Sequence, residues 1–353
     1  MNNIVQNRIV GLDILRVSLV VLVFVFHSNL HFECDYGTLN HFARMGAIAM
    51  TGFFMLSGFA LSYSYPQVIS DIKKVKSFLI KRIISLFPLY YIVSAIYIII
   101  YNKESVESLL LLLPIELLGL QSCFSSLFLV SHNGGTWFIS CMMLCYLIFP
   151  FLQWIIDNMS LRSKYVLGVA IFVIMIISPI VQRHFHLASI YDNPFFRILE
   201  FMEGIIVSSM SYKIQKKCLS LKDIIWLLIT ITILIVCVSI GDVFAPRDFM
   251  LANWIVLPCF SILLFILGNI YIPALQNSVI LYYCSKLSYT FYLSQLFVWT
   301  ISPIILWHIM HVDNNLSRIV VSFFSCIVIS VLLHECVEKP TSKFLWSKWK
   351  MCK

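Results

Sequence analysis

Asp13, Arg16 and His27 stand inside ILRVSLVVLVFVFH and its flank, a run otherwise apolar enough to cross a membrane. An Asp or Arg near the centre of such a helix costs roughly 2.5–3.5 kcal/mol on insertion. Helical spacing places the three on one stripe: Arg16 follows Asp13 by three positions, and His27 follows Arg16 by eleven, about three full turns. His27 then stands about 16 Å further along the axis than Arg16. An imidazole titrates near neutrality, so His27 is suited to take a proton from a hydroxyl. Two other readings stay open. Asp13 and Arg16 can be a pair that orients the helix, with His27 capping its outer end, or His27 and His31, four apart, can share a metal. No acidic or cysteine partner has ligand spacing for that metal.

Further polar residues sit in apolar surroundings. Ser57-Gly58 lies within GFFMLSGFALSYSY, where the glycine permits close helix approach and the serine offers a hydroxyl. Nothing resembles G-x-S-x-G, so Ser57 is not read as an activated nucleophile. Lys81 and Arg82 stand at the mouth of an apolar run, with Pro88 after them, placed either as solvated flanking charges or to hold a phosphate. Arg197 and Glu200 are an i,i+3 pair in RILEFMEG, and Trp137 follows the Gly134-Gly135 break in GGTWFIS.

The elements that must position these residues are membrane helices. Of the 353 residues 60% are hydrophobic and only 12% charged, the signature of a polytopic membrane protein. Ten spans are expected, near 10–30, 44–65, 83–101, 136–156, 165–182, 195–211, 223–241, 250–268, 289–310 and 316–336. LLLLLPIELLGL (109–120), broken by Pro114, is too short and reads as re-entrant or interfacial. The first span lacks a small-residue cleavage site and is read as retained. With the N-terminus inside, 18 of the 25 Lys and Arg residues fall on the cytoplasmic side and six outside. The fold expected is therefore an all-α polytopic bundle of about ten transmembrane helices, both termini cytoplasmic. It forms a single domain over 1–353 with a short basic tail from about 338. Topology explains the net charge of +8, and no nucleic-acid partner is required. The eleven cysteines are scattered singly and read as buried free thiols, neither disulfide framework nor zinc site.

Seven segments, in order, resemble the acyltransferase-3 family of integral-membrane acyltransferases. GLDILRVSLVVLVFVFH is similar to its opening signature, with Arg16 and His27 separated by ten residues. FFMLSGFALS, KRIISLFPLYY, TWFISCMMLCYLIFP, RILEFMEGI, SYTFYLSQ (which carries Tyr292) and VEKP resemble its later elements. Met142, Ser85 and Gln295 depart from the pattern, standing where many members have Glu, Arg and His.

The resemblance implies acyl transfer, most simply of acetyl, from cytoplasmic acyl-CoA to a hydroxyl of a carbohydrate acceptor on the outer face. The acceptor would be a surface polysaccharide or its lipid-linked precursor, at a bacterial cytoplasmic membrane. Acetyl-CoA is then a substrate, and no permanently bound cofactor or metal is expected. His27 is the expected base or acyl carrier, and Asp13 and Arg16 complete the catalytic stripe by shaping the donor channel. Arg82 is expected to meet donor phosphate, with Ser57, Gly58, Trp137, Arg197, Glu200 and Tyr292 along the substrate path. The alternatives are a lipid-linked sugar flippase, which would show no acyl transfer, and a membrane assembly subunit. Nothing in the sequence sets the oligomeric state.

Overall fold

The computed structural model describes residues 8–66, 69, 71–101, 106–124, 127, 135–211 and 217–351. Among them the helices are α1 (Val10–Phe32), α2 (Asn40–Arg44), α3 (Ala49–Ser64), α4 (Ile72–Tyr101), α5 (Val106–Leu117), α6 (Trp137–Asn158) and α7 (Leu161–His184). They continue with α8 (Pro194–Ser211), α9 (Leu221–Phe244), α10 (Asn253–Asn269), α11 (Pro273–Gln276), α12 (Val279–Pro303), α13 (Asn315–Leu332) and α14 (Lys339–Met351). The described strands are two-residue pieces, β1 (Lys217–Cys218) and β2 (Ile270–Tyr271), paired in parallel. The protein is an all-α polytopic membrane bundle.

Each expected span falls on a helix. Eight helical stretches are long and apolar enough to cross a membrane, and the remaining two expectations fall on α8 and α10. α10 has only 17 residues. α8 is interrupted by Arg197, Glu200 and Glu203 on its inward-facing turns. Three boundaries move. α4 begins at Ile72 rather than near 83, because no Gly or Pro interrupts 72–87 and its lysines can lift their ammonium groups to the surface along apolar stems. α12 begins ten residues before its expected span. The basic tail from 338 is itself helical, joined to α13 by a π-helical segment, Leu333–Glu338. The 109–120 run forms α5, 12 residues with Pro114 inside, too short to span. The ten described cysteines are free, but Cys123, Cys218, Cys284 and Cys336 are exposed rather than buried.

The chain divides into two compact units interleaved in sequence. One comprises residues 1–67, 151–191 and 198–288, the other 68–150, 192–197 and 289–353. In the first, α1 packs on α3, α10 packs on α1, α3, α7 and α9, and α2 lies against α9. Glycines set how closely these helices approach. A Cβ at Gly58 would collide with the carbonyl oxygen of Phe201 on α8, and one at Gly204 would collide with that of Met55 on α3. Gly11 on α1 meets the carbonyl of Leu267 on α10 in the same way. Small residues are how membrane helices bring backbones together when lipid supplies no hydrophobic drive. α7 and α9 leave most of their apolar surface outside the packed interior, as lipid-facing helices do. In the second unit, α14 packs against α4, and Ser342 donates to the carbonyl of Ile84 at 3.5 Å.

Replacing Gly58 by Leu should separate α3 from α8 and cost about 3 kcal/mol or more, the range of severe core overpacking. The apparent melting temperature in detergent should fall sharply. Gly241→Ala, where a Cβ meets open space, should melt with the wild type.

Candidate functional site

The start of α1 is tied down by charge. Asp13 accepts from Arg8 Nε at Oδ2 (2.6 Å), and at Oδ1 from the Ser285 hydroxyl (2.6 Å) and from Arg16 Nη1 (3.4 Å). Ser285 in turn accepts from Arg16 Nη1 at 2.9 Å, so one hydroxyl bridges acid and base. Arg8 also donates to the carbonyls of Gln276 and Ser278, each at 3.2 Å, and lies over the Tyr282 ring, which Lys286 approaches at 4.4 Å. Two guanidiniums thus share one carboxylate, and an ammonium lies over the ring that Arg8 also covers. The side chain of Arg16 remains 32% exposed.

His27 lies near the opposite end of α1, half-buried, its ring 5.2 Å from Phe26 and 5.8 Å from His31. The helix stops at Glu33, whose backbone is left-handed. The turn that follows is held by polar contacts: Ser28 Oγ meets the Tyr36 hydroxyl at 2.6 Å, and Asn29 donates to Cys34 O and Asn40 Oδ1. Burial pushes the Tyr36 phenol above its ordinary value, keeping it a neutral hydrogen-bonding group. At the same end of this unit, Asp242 of α9 is fully buried. It contacts His41 Nδ1 at 2.9 Å and Arg44 Nε at 3.3 Å and accepts from the Arg247 N–H at 3.0 Å. Arg183 pairs with Asp248. Among the described residues no group of three His, Cys, Asp or Glu is placed to hold a metal.

Other expected residues fall into two groups. In the first unit, Glu200 is fully buried and accepts from Thr51 Oγ1 at 2.9 Å. Ser57 is half-buried, and Gly58 is occupied by the α3–α8 contact rather than open to a substrate path. In the second, the guanidinium of Arg197 lies 5.2 Å over Trp137 and is itself fully buried. Tyr292 donates to Gly135 O at 2.5 Å and packs at 5.5 Å on Phe138. Arg82 lies over the rings of Phe78 and Tyr146. Gly134 lies outside the described residues.

The acyltransferase domain model of the acyltransferase-3 family matches residues 9–335. The chain belongs to that family. No curated protein and no solved structure matches it. It is a multi-pass membrane acyltransferase.

In this acyltransferase three contributors escaped the sequence reading. Arg8, a lone charge before the first apolar run, is the nearest partner of Asp13. Ser285 stands four residues before the YTFYL run and gave no signal of its own. Asp242, a lone acid ending an apolar run, was legible in principle, since such a residue needs a partner at membrane depth. In the second unit, Glu338 of the VEKP segment pairs with His334 Nδ1 at 2.7 Å within the π-helical turn. Asp13→Asn should strand Arg8, Arg16 and Ser285, lowering stability by about 2 kcal/mol. Ser285→Ala should cost roughly half as much, about 1 kcal/mol, by the same thermal unfolding measurement.

Proposed function

We propose that this acyltransferase moves an acetyl group from acetyl-CoA at the cytoplasmic side to a hydroxyl of a carbohydrate acceptor at the outer side. The acceptor class is a surface polysaccharide or its lipid-linked precursor, and the setting a bacterial cytoplasmic membrane. One observation carries this reading: α1 has a basic cluster at its start and a histidine near its far end. The Arg8, Arg16 and Lys286 cluster suits the phosphates of a nucleotide-bearing thioester, because guanidiniums pair with phosphate oxygens. Arg82 is a second candidate for the same phosphates. His41 and Arg44, held by Asp242, offer polar contacts for an acceptor near His27.

In the proposed reaction His27 accepts the proton of the acceptor hydroxyl as its oxygen attacks the thioester carbonyl carbon. The new C–O bond forms, the C–S bond breaks, and the imidazolium returns its proton to the departing thiolate. Histidine can also carry the acyl group between donor and acceptor, with the same balance. Asp13 and Arg16 act on the donor and on helix position rather than on the reacting carbon. Trp137, Arg197 and Tyr292, with Ser57 and Glu200, remain candidates for lining the substrate path.

His27→Ala should abolish acceptor O-acetylation, read by NMR of surface glycans, while the variant inserts and melts like wild type. Full acetylation by a folded variant would remove His27 from the reaction. Arg16→Ala should raise KM for acetyl-CoA about tenfold, the loss of one charge-assisted contact, with a smaller change in kcat. Detergent-solubilised protein that neither hydrolyses nor transfers acyl groups would instead favour a flippase.

A further inference from the structure

The first unit contains a cavity of about 460 Å³ between α7, α8 and α10, a volume typical of small-molecule sites. Its walls are mostly apolar, Phe172 and Phe265 among them, and Glu203 stands in the same lining. The Ser261 hydroxyl donates to Glu203 Oε1 at 3.4 Å, but Oε2 is buried with no hydrogen-bond partner among the described residues. Gly168 faces that oxygen: a Cβ there would lie 3.4 Å from it, so the absence of a side chain leaves the space before the carboxyl open. Lys164 lines the same cavity, one helical turn before Gly168 on the same face of α7, about 6 Å along the axis. It is 9% exposed and acts electrostatically on Asp157. The distribution of basic residues assigns this end of α7 to the cytoplasmic side.

The proposed acyl transfer makes no use of Glu203, and packing alone would be served at lower cost by a leucine, since an acid at membrane depth is expensive. A partner hydroxyl brought by a ligand removes that cost. We propose that the cavity is a binding site for a single-chain phospholipid of the inner leaflet. Its phosphate meets Lys164, its free glycerol hydroxyl bonds Glu203 Oε2, and its hydrocarbon chain fills the apolar remainder. Charge sets the orientation: Lys164 lies one turn nearer the end assigned to the cytoplasmic side than Gly168, which faces the carboxyl, the order in which a lysophospholipid presents phosphate and hydroxyl. The site is separate from the acyl-transfer chemistry, and its occupancy does not depend on it.

The test uses the purified full-length protein in nonionic detergent with two probes, 1-oleoyl lysophosphatidic acid and oleyl phosphate, which lacks the hydroxyl. Dissociation constants are read by native mass spectrometry. Wild type should prefer lysophosphatidic acid about tenfold, the worth of one hydrogen bond to a carboxyl. Glu203→Leu should bind both lipids equally, and Gly168→Leu, filling the cavity, should bind neither while melting with the wild type. If Gly168→Leu does not fold, Ser261→Leu closes the space from the opposite wall and is read the same way. Equal affinities in wild type, a preference that survives Glu203→Leu, or undiminished binding to a folded cavity-filling variant would each overturn the proposal.

Discussion

Backbone-to-backbone contact at glycine is the constraint on which the first unit depends. Gly58 and Gly204 are reciprocal: each occupies the space that the other's helix needs for a carbonyl, so α3 and α8 cross at the closest distance two helices reach. Gly11 repeats the arrangement between α1 and α10. Because these contacts involve main-chain atoms, they fix axial register as well as separation. The side chains that carry polar chemistry inherit their positions from this register. Thr51 reaches Glu200 only because α3 and α8 are pressed together, and Asp13 reaches Ser285 across a helix start held by Gly11.

Charge is handled differently at the two ends of α1. At the start, Asp13 is shared by two arginines and a serine, which leaves positive charge in excess. Near the far end, His27 stands among rings, and the local acid, Asp242, is committed to His41 and Arg44. The first arrangement attracts an anion. The second sets an imidazole against the Phe26 and His31 rings. The proposed transfer rests on a helix that separates these two properties.

Much of this was legible in the chain, for reasons that differ by residue. Continuous apolar runs made the helices visible, and α1 was plain because its three polar residues share one face. α4 was misjudged by eleven residues, because lysines and an arginine look like loop charge while their stems can lie along a helix. α8 has the converse problem: Arg197, Glu200 and Glu203 lower its hydropathy although the first two are fully buried within the protein. Partnerships were the least visible. That Arg8 and Ser285 meet at Asp13 depends on helices some 270 residues apart in sequence, and no local pattern encodes it. Gly58 was read as permissive of close approach, which it is, but its use for packing removes it from any open path.

An unbroken helix between Arg16 and His27 also acts as a ruler. Substituting any apolar residue between them leaves their separation and shared azimuth intact. Inserting one residue turns His27 by about 100° and displaces it by about 1.5 Å, out of phase with the anchored start. The geometric relation between the two residues is therefore set by the number of residues between them.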